Sequence, residues 1–235
     1  MQFFFDHLSS ILIAGVLILG LQLTQTRSRH AGIEQVASHS AKAKTLVFGQ
    51  WVESDILNLG ANFGTNMYRF EEPETDAHGN TTRWLFYSDS TRADGSQLRV
   101  LKRYRLVQTS TAAFRDTTYQ LYQVQRDTLV VPVVNGAVAS YSESDWVRST
   151  WSISTLSFFQ IDLIGRDGET PYVNDDPGQG VDVYKTDYVR VRFGIVPEYV
   201  LKPDNYIREL YWTKTLKVRP YWTPPPSLSS TPAAT

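Results

Sequence analysis

The chain has 235 residues, with 23 basic against 24 acidic side chains and a formal net charge of -1. That balance gives no electrostatic case for a nucleic-acid partner, and a 42% hydrophobic, 13% aromatic composition excludes a disordered chain. Cysteine is absent, which excludes disulfides, thiol catalysis and cysteine-based zinc sites.

The chain opens with an apolar segment: Phe3, Phe4, Phe5, Leu8 and then residues 11–23. Residues 3–23 approach the roughly 20 residues that a spanning helix needs. Asp6, His7, Ser9 and Ser10 interrupt its first half. It reads as an anchor rather than a cleaved signal: no Lys or Arg stands before it, and no small-x-small triplet follows Leu23 promptly. Arg27, Arg29 and His30 follow the segment, and by charge alone they would hold the following domain in the cytoplasm.

No proline occurs before Pro73, so nothing in the first third must break a helix. From Ile33, apolar residues recur at helical spacings through Ala37, Ala41, Phe48, Val52, Ile56, Leu59 and Phe63. Gly60 and Gly64 supply a stop. The expectation is one long helix over residues 1–63, membrane-inserted in its first part (1–23) and amphipathic afterwards. Phe48, Val52, Ile56 and Leu59 should pack it under the following domain.

After Phe63 the pattern becomes β. Residues 83–88, 97–107, 119–125, 128–134, 156–164, 188–196 and 209–218 are β-branched or aromatic and partly alternate. Turn signals separate them at His78-Gly79-Asn80, Asp94-Gly95, Asn135-Gly136 and Asp167-Gly168. Pro132 and Pro197 mark edges or bulges. An antiparallel β-rich head over residues 64–222 follows, with a Pro-, Ser- and Thr-rich tail over 223–235. The fold class is therefore α+β.

No catalytic motif is present, and the four histidines (His7, His30, His39, His78) do not pair on adjacent helical turns. A non-enzymatic protein without cofactor is expected. Asp167, Asp175, Asp176 and Asp182 could hold calcium through oxygen ligands, although their spacing matches no EF-hand and an acidic loop is the plainer reading. Trp84, Trp146, Trp151, Trp212 and Trp222 could form a carbohydrate platform; core and subunit contacts are the plainer use of such rings.

An apolar start with one carboxylate near the terminus, then an amphipathic helix, then a β-rich head, resembles the type IV pilin and pseudopilin family. The likeness is confined to about residues 1–63. Its most pointed piece is Trp51, Val52, Glu53, Ser54, Asp55, Ile56, Leu57, Asn58, Leu59 and Gly60, which looks like the helix end of W-type minor pilins and J-type pseudopilins. There an acidic pair precedes a short apolar run closed by glycine. The resemblance implies a structural subunit held in the inner membrane and then drawn into a periplasmic or extracellular filament. Its partners would be other pilin-like subunits, with Phe3, Phe4, Phe5, Asp6 and Leu8 in the assembling helix core. Gly15 and Gly20 would fall where such helices lose regularity on assembly. Asp6 has two readings: it sits at the membrane surface beside His7 and favours the helix N-terminus through the dipole, or it pairs with an N-terminal amine, its own or a neighbour's, since a buried charge needs a partner and no Lys or Arg precedes Arg27. The rival reading is a signal-anchored surface protein whose β domain binds a ligand such as a glycan.

Overall fold

The computed structural model describes residues 2–60, 70–114, 117–134, 137–152, 154–196 and 209–218, except for the side chains of residues 2–6, 112–114, 117 and 137. A single helix, α1 (Gln2–Leu57), runs for 56 residues, about 84 Å at 1.5 Å per residue. With no proline in it, only four glycines weaken it, at positions 15, 20, 32 and 49. It ends earlier than the apolar stripe suggests. Asn58 and Leu59 bond back to the Asp55 and Ile56 carbonyls in a tightened last turn. Gly60 then adopts φ 64°, and its N–H donates to the Tyr87 carbonyl at 3.0 Å. A left-handed residue suits glycine because it has no Cβ to clash.

Nine strands follow: β1 (Glu74–Thr75), β2 (Thr81–Thr91), β3 (Gln97–Phe114), β4 (Thr117–Val134), β5 (Ala137–Val138), β6 (Val147–Trp151), β7 (Thr155–Ile164), β8 (Tyr188–Val196) and β9 (Leu210–Lys217). They form one antiparallel sheet in the order β1-β2-β3-β4-β7-β8-β9, with β5 and β6 also paired to β4. The fold is α+β: one long apolar N-terminal helix and an antiparallel sheet domain. The sheet curls, because Ile161 N–H donates to Thr81 Oγ1 at 2.9 Å and so ties β7 to the start of β2, three strands away in the sheet order.

Segments 119–125 and 128–134, expected as two strands, are halves of the single 18-residue β4. Pro132 sits within it, opposite Leu98 of β3. Its carbonyl accepts from Ala139 N–H at 3.2 Å. A residue's N–H and C=O point to the same side of a strand, so the missing donor lies toward β5 and costs the β3 ladder nothing. The turns at Gly79, Gly95 and Gly168 use positive φ (79°, 83° and 92°). The turn at Asn135-Gly136, together with Phe63, Gly64, Pro197 and the tail 223–235, lies outside the described residues.

Two apolar clusters stabilise the domain. Alternation along β2 sends Trp84 and Phe86 to the concave face and Leu85 to the other. The concave face receives the second half of α1: Phe48, Val52, Ile56 and Leu59 are 2%, 0%, 1% and 1% exposed. They join Tyr104, Phe159, Val191 and Phe193 in one cluster. Burial stabilises each by roughly 1.5–3 kcal/mol. On the convex face, Leu85, Leu101, Leu129 and Val131 are covered by Tyr87, Val138 and Trp146.

Candidate functional site

The candidate functional feature is the helix itself: how far it stands free, and how its end is held. Residues 7–36 are exposed throughout. Burial of the helix starts at Ala37 and is nearly complete at Ala41, and packing on the sheet cluster starts at Phe48, so Ile33, expected on the packed stripe, stays 47% exposed. The free part includes Leu8, Ile11, Leu12, Ile13, Val16, Leu17, Ile18, Leu19, Leu21 and Leu23, all more than half exposed. By length and composition this helix could cross a membrane. A Cβ built on Gly15 or Gly20 would meet nothing within 4 Å. The helix is nevertheless continuous through both. Phe3, Phe4, Phe5 and Asp6 lie on α1, and their side chains fall outside the described residues.

The end of the helix is gripped from both sides. Asp55, 3% exposed, faces the concave sheet. Lys102 Nζ donates to its Oδ1 at 2.6 Å, Arg126 Nη2 donates to the same oxygen at 2.7 Å, and Tyr104 Oη donates to Oδ2 at 2.8 Å. Tyr104 and Arg126 are direct cross-strand neighbours, so register alone brings them together. Burial, then the adjacent Asp55 carboxylate, pushes the Tyr104 hydroxyl well above its usual range. The Arg126 guanidinium also lies 5.6 Å from the Trp51 ring centre, and Trp51 packs on Tyr104 at 5.4 Å. Two residues back, Glu53 points the other way and accepts from Lys214 Nζ of β9 at 2.5 Å. Gly49 completes the fit. A Cβ there would stand 2.7 Å from the Trp212 indole, so only glycine lets that ring lie against the helix.

The acidic pair Glu53 and Asp55 was legible as part of a motif, but its partners were not. Lys102, Tyr104, Arg126 and Lys214 lie 47 to 161 positions away. Only the shared parity of Lys102 and Tyr104 within a strand hinted at one face.

The other sequence candidates are dispersed. Asp176 caps Gly178 N–H, Asp182 caps Tyr184 N–H and Asp167 accepts from Glu169 N–H. Asp167 and Asp175 share the rim of an open cavity of about 800 Å³, which Arg166 and Lys185 also line. Among the described residues, no three His, Asp or Glu side chains are grouped to hold a metal ion. The tryptophans make no common platform. Trp84 is fully buried, Trp212 stacks on Phe193 at 4.9 Å, Trp146 lies under Arg103, and Trp151 lies under Arg148. Trp222 is outside the described residues.

The convex face carries a second ionic cluster. Arg103 Nη2 meets Asp127 at 2.9 Å and Glu143 at 2.7 Å. Asp127 also accepts from Gln125 at 2.5 Å and pairs with Arg105 at 2.8 Å. Burial would raise the Asp127 pKa, but these partners outweigh it and hold the carboxyl below its usual range. All of this braces β3, β4 and the turn at Glu143–Asp145.

No family model, curated protein or solved structure matches this chain.

Proposed function

We propose that this protein is a pilin-like structural subunit that assembles through its N-terminal helix. The observation that carries the reading is the contrast along α1. One unbroken helix is bare and apolar over residues 7–36, then locked to a sheet by buried apolar and ionic contacts. A membrane anchor needs only the first property, because a flexible linker to the head would serve it equally well. A subunit whose helix transmits position to its head needs both. Latching Asp55 and Glu53 fixes the helix direction relative to the sheet, so copies packed by their helices would present their heads in one orientation.

In this reading the subunit waits in the inner membrane and is then withdrawn into a periplasmic or extracellular filament. Asp6 sets the register there by pairing with an N-terminal amine, its own or a neighbour's. Asp6→Ala tests it. The variant should insert in the membrane at least as well as the parent, since a carboxylate in a spanning helix is unfavourable by up to about 3 kcal/mol. It should also be depleted from sheared filament preparations. Normal incorporation of Asp6→Ala would count against the proposal. A signal-anchored surface protein is the second reading. It is favoured by one observation, the aromatic and polar surface on the convex side of β7 to β9.

A further inference from the structure

The register of the last three strands builds a grid of side chains on the side of the sheet away from the helix. Phe158, Gly194 and Tyr211 stand in one row across β7, β8 and β9. Gly194 leaves the space in which Phe158 lies: a Cβ there would sit 2.8 Å from the Phe158 ring. Tyr211 packs beside Phe158, with ring centres 5.9 Å apart and planes at 33°, yet remains 71% exposed. Its hydroxyl is hydrogen-bonded to Glu209, which holds it above its usual range. This is an aromatic plate with its edge fixed and one face toward solvent.

The next rows are polar. Gln160, Arg192 and Thr213 form one, and Asp162, Arg190 and Thr215 the other. Asp162 accepts from Arg190 Nε at 2.9 Å and from Arg192 Nη2 at 3.1 Å. Both guanidiniums are thereby fixed, while their side chains remain 41% exposed. Among the described side chains that β7, β8 and β9 present on this side, Arg190, Arg192 and the exposed Lys217 stand against Asp162 and Glu209, while the turn of Gly79 borders the grid at Gln160.

We infer that this surface binds an acidic polysaccharide, a sugar chain bearing carboxylates, whether or not the protein assembles. The exposed Tyr211 ring takes the apolar face of a pyranose, because its π-face attracts polarised C–H groups. The preorganised guanidiniums take a sugar carboxylate through paired N–H groups. Thr213 and Gln160 supply donors and acceptors for hydroxyls between them. The two rings pack on each other rather than offering separate faces for successive bases, so single-stranded nucleic acid fits less well.

The test uses the whole chain in detergent micelles, with polygalacturonate, neutral dextran and oligothymidylate as probes. Polygalacturonate should bind, with dextran and oligothymidylate at least about tenfold weaker. Tyr211→Ala, Arg192→Gln and the exposed-site variant Lys217→Gln should each weaken it, the first two by about tenfold, as expected for a lost stacking or charge-assisted contact. Unchanged thermal unfolding of Lys217→Gln alongside weaker binding would locate the effect at the surface. Absent binding of polygalacturonate, binding by all three variants as tight as the parent's, or tighter binding of oligothymidylate would each overturn the assignment. None of these results bears on filament incorporation, so failure here and failure of the pilin-like reading are distinguishable.

Discussion

Replacing Asp55 by Asn removes one charge and little volume, yet it should be among the most damaging single changes in the chain. The carboxylate is buried and has three donors within 2.8 Å, two of them cations. Lys102 and Arg126 keep only 17% and 20% of their side-chain surface exposed. Asp55 is the carboxylate that both are paired with among the described residues, so without it they face each other across a poorly solvated space. Breaking a buried ion pair from one side typically costs about 3–5 kcal/mol, which lowers the folding constant by roughly two to four powers of ten. Glu53 is the internal control. Its bond to Lys214 is shorter, but both partners are partly exposed, at 27% and 43%. Such pairs contribute only about 0–1 kcal/mol, so Glu53→Gln should be nearly silent. The assay is chemical unfolding of each variant in detergent, followed by tryptophan fluorescence, since Trp51 reports directly on the junction. Equal losses for the two variants, or a loss under about 1 kcal/mol for Asp55→Asn, would refute the view that burial makes Asp55 the latch.

Gly49→Ala should destabilise by about 1–3 kcal/mol through overpacking against Trp212, despite alanine's better helix propensity; a stabilised variant in the same unfolding assay would show that the ring moves aside freely. Because the Asp127 carboxyl is held below its unfolded value, its stabilisation is present above about pH 4 and fades as pH falls through the lower folded value. Asp127→Asn should therefore flatten the acid limb of the stability curve below about pH 4, with proton uptake on unfolding measured by titration. Starting the chain at Arg29 should leave the sheet domain folded, whereas starting it at Met67 should not. The lost Phe48, Val52, Ile56 and Leu59 each contribute roughly 1.5–3 kcal/mol against a usual total of about 5–15, and circular dichroism of the two products distinguishes the outcomes.

The long helix was legible because absence of proline and a three-four apolar spacing are local properties. The strands were legible for the same reason wherever alternation is clean, as in 83–88 and 188–196. Legibility failed where long-range contacts decide. Arg126 and Asp127 look like a break between two strands, yet they are interior to β4, because Asp55 neutralises one and Arg103 the other from distant parts of the chain. The helix stops at Leu57 rather than near residue 63, since Gly60 is drawn onto the Tyr87 carbonyl, a partner that helix periodicity does not contain. Strands of two to five residues, β1, β5 and β6, carry too little pattern to be seen. Of the ten-residue motif 51–60, the acidic pair was visible. Its cationic partners required the sheet register.

The most direct measurement exploits the absence of cysteine from the chain. A single Leu19→Cys substitution places one thiol in the middle of the bare apolar stretch, where Leu19 is 60% exposed. After assembly, the chain should appear in sheared surface fractions, and its thiol there should resist a water-soluble maleimide because neighbouring helices cover it. A chain absent from sheared surface fractions, with its thiol remaining in the membrane fraction, would mean that the helix never leaves the bilayer and that the protein is an anchored surface domain rather than a filament subunit.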